Sequence, residues 1–326
     1  MYQKASHNLW PGRAENDITK DTLQIHQVVE FVDLENEQLP QLEENQRGIA
    51  FLSFDVDEGV RRNNGRTGAA QGPTVLRKSI SSFAVHFENE KKIIDAGVLT
   101  CENRNLEKTQ KALTASVNTI LNSGYFPIIL GGGHELAFGH FRGLLKFLLS
   151  KHNTPRIGIF NFDAHFDLRD YRYGITSGTG FLQIADLCKN NLTDFNYFVL
   201  GLQQANNSRK LFKTAESLDT EYIFARHTKI FDRDNILSRV KNFIDKVDFI
   251  YTTICMDVFA SSVAPGVSAL AINGIQPDIA FEVLDLLLSS KKVIGFDLAE
   301  LNPHFDADDR TAKLAAAIIY EVLMGI

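Results

Sequence analysis

Cysteine is scarce in this sequence and poorly placed to staple it: Cys101, Cys188 and Cys255 are odd in number and far apart. That spacing fits neither a disulfide framework nor a zinc knuckle, and it points to a reducing cytosol. Long apolar runs are missing too. No stretch reaches the roughly 20 residues of a membrane span. The first thirty residues are polar and mixed in charge, unlike the apolar segment of a signal peptide, so a cytoplasmic location is expected. There is no excess of positive charge either. A net charge of −6 offers nothing for nucleic acid or an anionic membrane to recognise. Repeats, low-complexity tracts and Pro/Ser-rich linkers are absent.

What is present is a globular composition, 44% hydrophobic and 23% charged, in a chain long enough to bury a sizeable core unaided. Residues 1–45 are weakly patterned and read as an arm lying on the domain. Residues 46–326 read as a single α/β catalytic domain. In it, short apolar runs begin near Gly48, Lys92, Tyr125, Arg156, Asn196, Glu221, Asp248 and Lys292. Several are β-branched and aromatic on both faces, as a sheet covered on both sides requires. Helical stretches separate most of them, including 106–122, 234–246, 276–288 and 310–324. The alternation predicts a three-layer, doubly wound, mainly parallel sheet of about eight strands. Ligands bind such sheets beyond the carboxyl ends of the strands, so the unusual residues should follow the apolar runs.

They do. Gly131-Gly132-Gly133-His134-Glu135 follows YFPIIL. The glycines permit a sharp turn and close approach, and His134 would stand at a helix start. Taken alone, a glycine turn before a helix explains it equally well. A phosphate cradle is weakly supported, because neither a Walker lysine nor a spaced GxGxxG is present. Asp163-Ala164-His165-Phe166-Asp167 follows RIGIFNF. Strand alternation would turn residues 163, 165 and 167 to one side. Two carboxylates and an imidazole there would desolvate badly without a cation, which a divalent metal supplies. Cys255-Met256-Asp257 follows DFIYTTI, and then Ala264-Pro265-Gly266 forms a turn able to fold back over the site. The fourth segment, Asp297 to Pro303, puts Glu300 at a strand end, where an acid could hold a cationic substrate group.

GGGHE, DAHFD, CMD and ELNP, in this order, resemble the signature segments of the ureohydrolase (arginase and agmatinase) superfamily. Within it the chain is most similar to the formimidoylglutamases. The LWPGR start followed by His26-Gln27, DEGVRRNNGR, GAAQGP, SGTGF, APGVSA and ELNPHFDADDRTAKLAA carry that likeness.

The resemblance implies an arginase-like fold, trimers or hexamers, and two divalent metal ions, manganese above all. It assigns His134, Asp163 and Asp167 to one ion, and Asp163, His165 and Asp257 to the other, with Asp163 bridging. It implies hydroxide attack on an amidine carbon, with Asp167 moving the proton and Glu300 pairing with the amidinium. The implied reaction, a step of histidine degradation, converts N-formimidoyl-L-glutamate and water to L-glutamate and formamide. Arg61, Arg62, Arg66, Arg169 and Arg172 are candidates for the substrate carboxylates. Thr179 lies where the superfamily contacts a substrate carboxylate, and Phe181 lies near an arginase histidine.

Two positions depart from the pattern. Gly133 replaces the Asp of GGDH. Cys255 replaces an Asp that bridges both metals. The second leaves a thiolate bridge, a softer metal, a single ion, or a non-catalytic binding or partner subunit as alternatives, beside another amidine or guanidine hydrolase.

Overall fold

Near-continuous apolar runs put side chains on both faces of a strand, and such a strand is stable only with cover on both. The computed structural model, which describes residues 1–13, 19–87 and 90–326, builds the protein around that constraint. Its strands are β1 (Tyr2–Gln3), β2 (Val29–Phe31), β3 (Arg47–Asp55), β4 (Lys91–Thr100), β5 (Tyr125–Gly131), β6 (Ile157–Phe162), β7 (Asn196–Leu202), β8 (Glu221–Phe224), β9 (Phe249–Cys255) and β10 (Val293–Ala299). They form one sheet in the order β1-β4-β3-β5-β10-β9-β6-β7-β8, with β2 also paired to β4. Every pairing between these strands among the described residues is parallel except β1 with β4. The sheet thus has ten strands where about eight were expected. The extra two are short and come from residues 1–45, whose weak patterning hid them.

The α-helices are α1 (Ile25–Val28), α2 (Glu58–Arg62), α3 (Gly72–Ser81), α4 (Leu106–Asn122), α5 (Leu136–Leu149), α6 (Gly180–Asn190), α7 (Arg209–Ser217), α8 (Arg233–Lys246), α9 (Pro277–Ser289) and α10 (Arg310–Gly325). Helix starts follow local chemistry. The Asn105 side chain accepts from Lys108 N at 2.9 Å to cap α4, and Pro277 begins α9, where its missing N–H costs nothing.

Strand alternation sorts the core into two layers. Ile49 and Phe51 face a layer with Leu76 and Ile80 of α3, Val240 and Phe243 of α8, Leu284 of α9 and Ile319 of α10. Ala50, Leu52 and Phe54 face the other, with Val117 of α4, Phe141 of α5, Ile184 of α6 and Leu211 of α7. Burying each large apolar side chain contributes about 1.5–3 kcal/mol. The first residues are tied down by Trp10, which is buried and donates through Nε1 to Asp95 Oδ2 at 2.7 Å. Asp95 also takes Arg77 Nε at 2.7 Å, with both side chains wholly buried. No helix among the described residues is long and apolar enough to cross a membrane.

Strands β5, β10, β9 and β6 are consecutive neighbours with the same direction. At about 4.8 Å per step, their carboxyl ends line up within about 14 Å. Each of the four chemistry-bearing segments leaves one of these ends.

Candidate metal centre

After β5 the chain must turn against β3. Gly132 N donates to Phe54 O and Gly133 N to Val56 O, both at 2.8 Å. A Cβ on Gly132 would lie 2.0 Å from Val56 O, so no other residue fits. A Cβ on Gly133 would lie 2.1 Å from Glu135 Oε2. Glu135 thus fills the space that a side chain at 133 would need. Its carboxyl is wholly buried and burial pushes it up to about 8.

The convergence of Asp163, His165 and Asp167 has a different cause from the expected one. Strand β6 stops at Phe162, so alternation does not extend through these residues. A loop gathers them. Asp163 Oδ1 accepts from His165 N at 2.7 Å, an Asx-type turn. Asn207 clamps the same loop, accepting from Phe166 N and donating to Ala164 O, both at 3.0 Å. Asp167 has φ of 49° and Glu300 has φ of 66°. Left-handed backbone is uncommon outside glycine and concentrates at functional sites. Glu300 is held there by its N–H on Gly132 O at 2.7 Å and by accepting from His134 N at 3.0 Å.

The side chains meet. His134 Nδ1 lies 3.0 Å from Asp163 Oδ2 and 3.3 Å from Asp167 Oδ2. His165 Nδ1 lies 3.5 Å from Asp163 Oδ1 and 3.2 Å from Asp257 Oδ2. Ligand atoms of His134, Asp163 and Cys255 lie within 4.8 Å of one another, as do those of Asp163, His165 and Asp257. Asp163 belongs to both groups. Nδ1 of His134 and Oδ1 of Asp257 are buried and accept or donate no hydrogen bond, the state expected of atoms that coordinate a cation. The donor set of carboxylate oxygens and imidazoles suits manganese, with the Cys255 sulfur as the one soft exception.

The electrostatics describe the same need. Among the described residues no lysine or arginine pairs with these acids. Burial pushes Glu300 well above the carboxylate range, and Glu135 and Asp257 add to it. Burial and then Asp163 raise Asp167. Burial opposes charge on both imidazoles, but Asp163 and Asp167 hold His134 well above its usual value, and Asp257 and Asp163 do so for His165. Burial also favours a protonated Asp163, yet His134 and His165 draw it below the usual range. Burial, followed by Asp163, Asp257 and Glu300, pushes the Cys255 thiol far up. The cluster carries more acid than its own imidazoles can balance.

A cavity of about 310 Å³ opens onto this cluster, lined by His134, His165, Asp167, Cys255, Asp257 and Glu300 on its floor. Asn63, Asn64, Arg66, Arg169, Ser177, Asn206, Asn207, Ser268 and Ala269 are on its walls. The candidates for the substrate carboxylates separate here. Arg61 is not on the wall: its guanidinium is engaged by Glu58 at 2.6 Å. Arg62 binds Glu58 and Glu107, and Arg172 binds Asp170. Arg66 lines the cavity but commits Nε to Ser268 O at 2.9 Å and Nη2 to Val267 O at 2.6 Å, while stacking on Phe305. It thereby pins the chain after Ala264-Pro265-Gly266 over the site. Arg169 lines the cavity and is exposed, with no side-chain partner among the described residues.

Thr179 does not reach the cavity. It is buried, and its hydroxyl is used within its own turn by Thr176 O at 2.9 Å and Thr176 N at 3.1 Å. Ser177 faces the cavity in its place. Phe181 stands edge-on to His134, with ring centroids 5.4 Å apart, and closes that side with carbon. The asparagines and Ser177 were not anticipated, since polar loop residues carry no spacing signal.

Residues 45–325 match the model of the arginase family. A formimidoylglutamase of Clostridium tetani is 41% identical over 99% of this chain and 95% of its own. One of Fusobacterium nucleatum is 37% identical over 97% of each. Among solved structures, the Bacillus subtilis formimidoylglutamase superposes with a TM-score of 0.79 at 19% identity, over 96% of this chain and 95% of that one. The Trypanosoma cruzi formiminoglutamase solved with Mn2+ superposes with a TM-score of 0.75 at 23% identity, over 88% and 95%.

Proposed function

The chain belongs to the arginase family, and from that premise we propose that it hydrolyses N-formimidoyl-L-glutamate to L-glutamate and formamide. Near-full-length likeness to formimidoylglutamases supports the substrate. The observation that carries the reading is the pair of ligand groups sharing Asp163, with buried Nδ1 of His134 and Oδ1 of Asp257 making no hydrogen bond. His134, Asp163 and Asp167 would hold one divalent cation, manganese by preference, and Asp163, His165 and Asp257 a second. Such ions supply Lewis acidity and a lowered pKa for water.

The chain's own groups then divide the work. Glu300 is buried at the cavity floor and takes the amidinium nitrogens. Asp167 lines the cavity beside His134 and is placed to accept a proton from the attacking water and return it to the departing amine of glutamate. Arg169, a wall cation with no side-chain partner among the described residues, takes a substrate carboxylate. Arg66 keeps one guanidinium nitrogen free for the other, while Asn63, Asn64 and Ser177 offer neutral hydrogen bonds. Cys255 sits within ligand reach of His134 and Asp163, so it joins the ligand set as a sulfur in place of an oxygen. The test is formamide release from N-formimidoyl-L-glutamate by chelator-treated protein before and after manganese is restored. Turnover that appears only with the metal is expected. Equal turnover in both samples would reject the reading.

A further inference from the structure

Behind the candidate metal centre lies a buried chain of hydrogen bonds. Asp297 is wholly buried on β10, and among the described residues no lysine or arginine pairs with it. Its Oδ1 receives the Thr253 hydroxyl at 2.5 Å. Its Oδ2 receives the Tyr251 hydroxyl and His140 Nδ1, each at 2.5 Å. Three donors onto one carboxylate fill its acceptor positions and fix its orientation. Thr253 has a single proton, and that proton is committed to Asp297. Its oxygen can therefore only accept from His134 Nε2, which lies 2.9 Å away. The proton of a neutral His134 ring must then sit on Nε2. The lone pair is left on Nδ1, the atom that faces Asp163 and Asp167.

We infer that Thr253 and Asp297 are positioning residues that select the tautomer and aim of His134, with Tyr251 and His140 holding Asp297 in place. The inference rests on the metal reading above and adds a device to it. The logic runs one way. A carboxylate fixed by three donors orients a hydroxyl, the hydroxyl orients an imidazole, and the imidazole presents a lone pair instead of an N–H. The packing agrees. The His140 ring lies edge-on to Tyr251 with centroids 4.9 Å apart, and a Cβ on Gly295 would come within 2.9 Å of His140 Nε2. Glycine at 295 leaves the room that His140 occupies.

The test is titration of manganese into chelator-treated wild type, Thr253→Val and Thr253→Ser, each first checked for unchanged thermal unfolding. Valine keeps the shape of threonine and removes the acceptor; serine keeps the acceptor. Thr253→Val should weaken the ion held through His134 by about 10- to 100-fold, and Thr253→Ser should restore it. In zinc-loaded protein, proton–nitrogen spectra of the imidazoles should place the His134 proton on Nε2, protected from exchange in wild type and Thr253→Ser but not in Thr253→Val. Should Thr253→Val not fold, Tyr251→Phe removes one donor from Asp297 without touching His134 and should give a smaller loss in the same direction. If wild type binds manganese and the folded variant binds it equally well, the relay is overturned while the metal reading stands. Wild type that takes up no metal would remove both.

Discussion

Two of the buried charged clusters among the described residues are built on opposite plans. At the β4 side, Asp95 is wholly buried but takes both nitrogens of the Arg77 fork and the Trp10 indole, at 2.7–3.0 Å. Its charge is answered by the chain itself. At the carboxyl ends of β5, β10, β9 and β6, three aspartates and Glu300 crowd two imidazoles, with no arginine or lysine among the described residues paired to them. Burying several acids with neither basic partners nor a full set of donors costs several kcal/mol, which points to something from outside completing the cluster. The contrast separates a structural ion pair from a binding site without reference to any relative.

The largest effect should come from removing the shared ligand. Asp163→Ala should eliminate uptake of at least one metal ion and lower kcat/KM by about 10³-fold, equivalent to about 4 kcal/mol. Elemental analysis and formamide release check it. Unchanged metal content would dissolve the contrast. Next, Asp95→Asn should destabilise the protein by about 3 kcal/mol, because it leaves the wholly buried Arg77 unanswered. Denaturant unfolding should show that loss equally with and without manganese. A loss that manganese repairs would mean the two clusters are not independent.

Glu300→Gln should keep the metal content and reduce kcat/KM by about 10²-fold, near 2.7 kcal/mol, through loss of the charge that faces the amidinium. Cys255→Asp should tighten manganese by about tenfold, near 1.4 kcal/mol, since a carboxylate oxygen between two dications suits a hard ion better than sulfur. No gain in affinity would mean that Cys255 lies outside the ligand set.

The smallest effect sharpens the account of the satisfied cluster. Asp55 lies near Arg77 and Asp95, and burial raises its pKa from 3.8 to about 6. Its folded pKa exceeds the unfolded one, so the folded state binds more protons between about pH 4 and pH 6. Stability must therefore fall as pH rises through that window. Asp55→Asn should flatten this slope and add stability on the order of 1 kcal/mol at pH 7. A slope unchanged in the variant would assign the pH dependence elsewhere.

Much of this was legible in the sequence. Short apolar runs between helical segments announced a parallel sheet, and four polar segments just past such runs announced its active edge. The short β1 and β2 were not legible, because two or three residues carry no period and pair only once β4 exists. The convergence of Asp163, His165 and Asp167 was anticipated for the wrong reason. Strand alternation ends at Phe162, and an Asx turn with an Asn207 clamp completes the geometry. Arginines near the site could not be ranked from sequence, because a salt bridge such as Arg61 with Glu58 depends on helical placement. Thr179 was misplaced since its neighbours, not its type, decide where its hydroxyl points. Thr253 and His140 fell outside any motif, and Asp297 opened the fourth segment without being given a role, since all three are strand or helix residues that touch the site only from behind.

The central claim is that the acid cluster is a metal centre that makes the chain a formimidoylglutamate hydrolase. The most direct measurement is thermal unfolding of chelator-treated wild type and Asp257→Asn, with and without manganese, beside formamide release in the same samples. Without metal, Asp257→Asn should be at least as stable as wild type, since it removes one of several crowded carboxylates. With manganese, wild type should gain stability and turnover together, and the variant should gain little of either. Wild type that neither gains stability nor releases formamide when manganese is added would contradict the account.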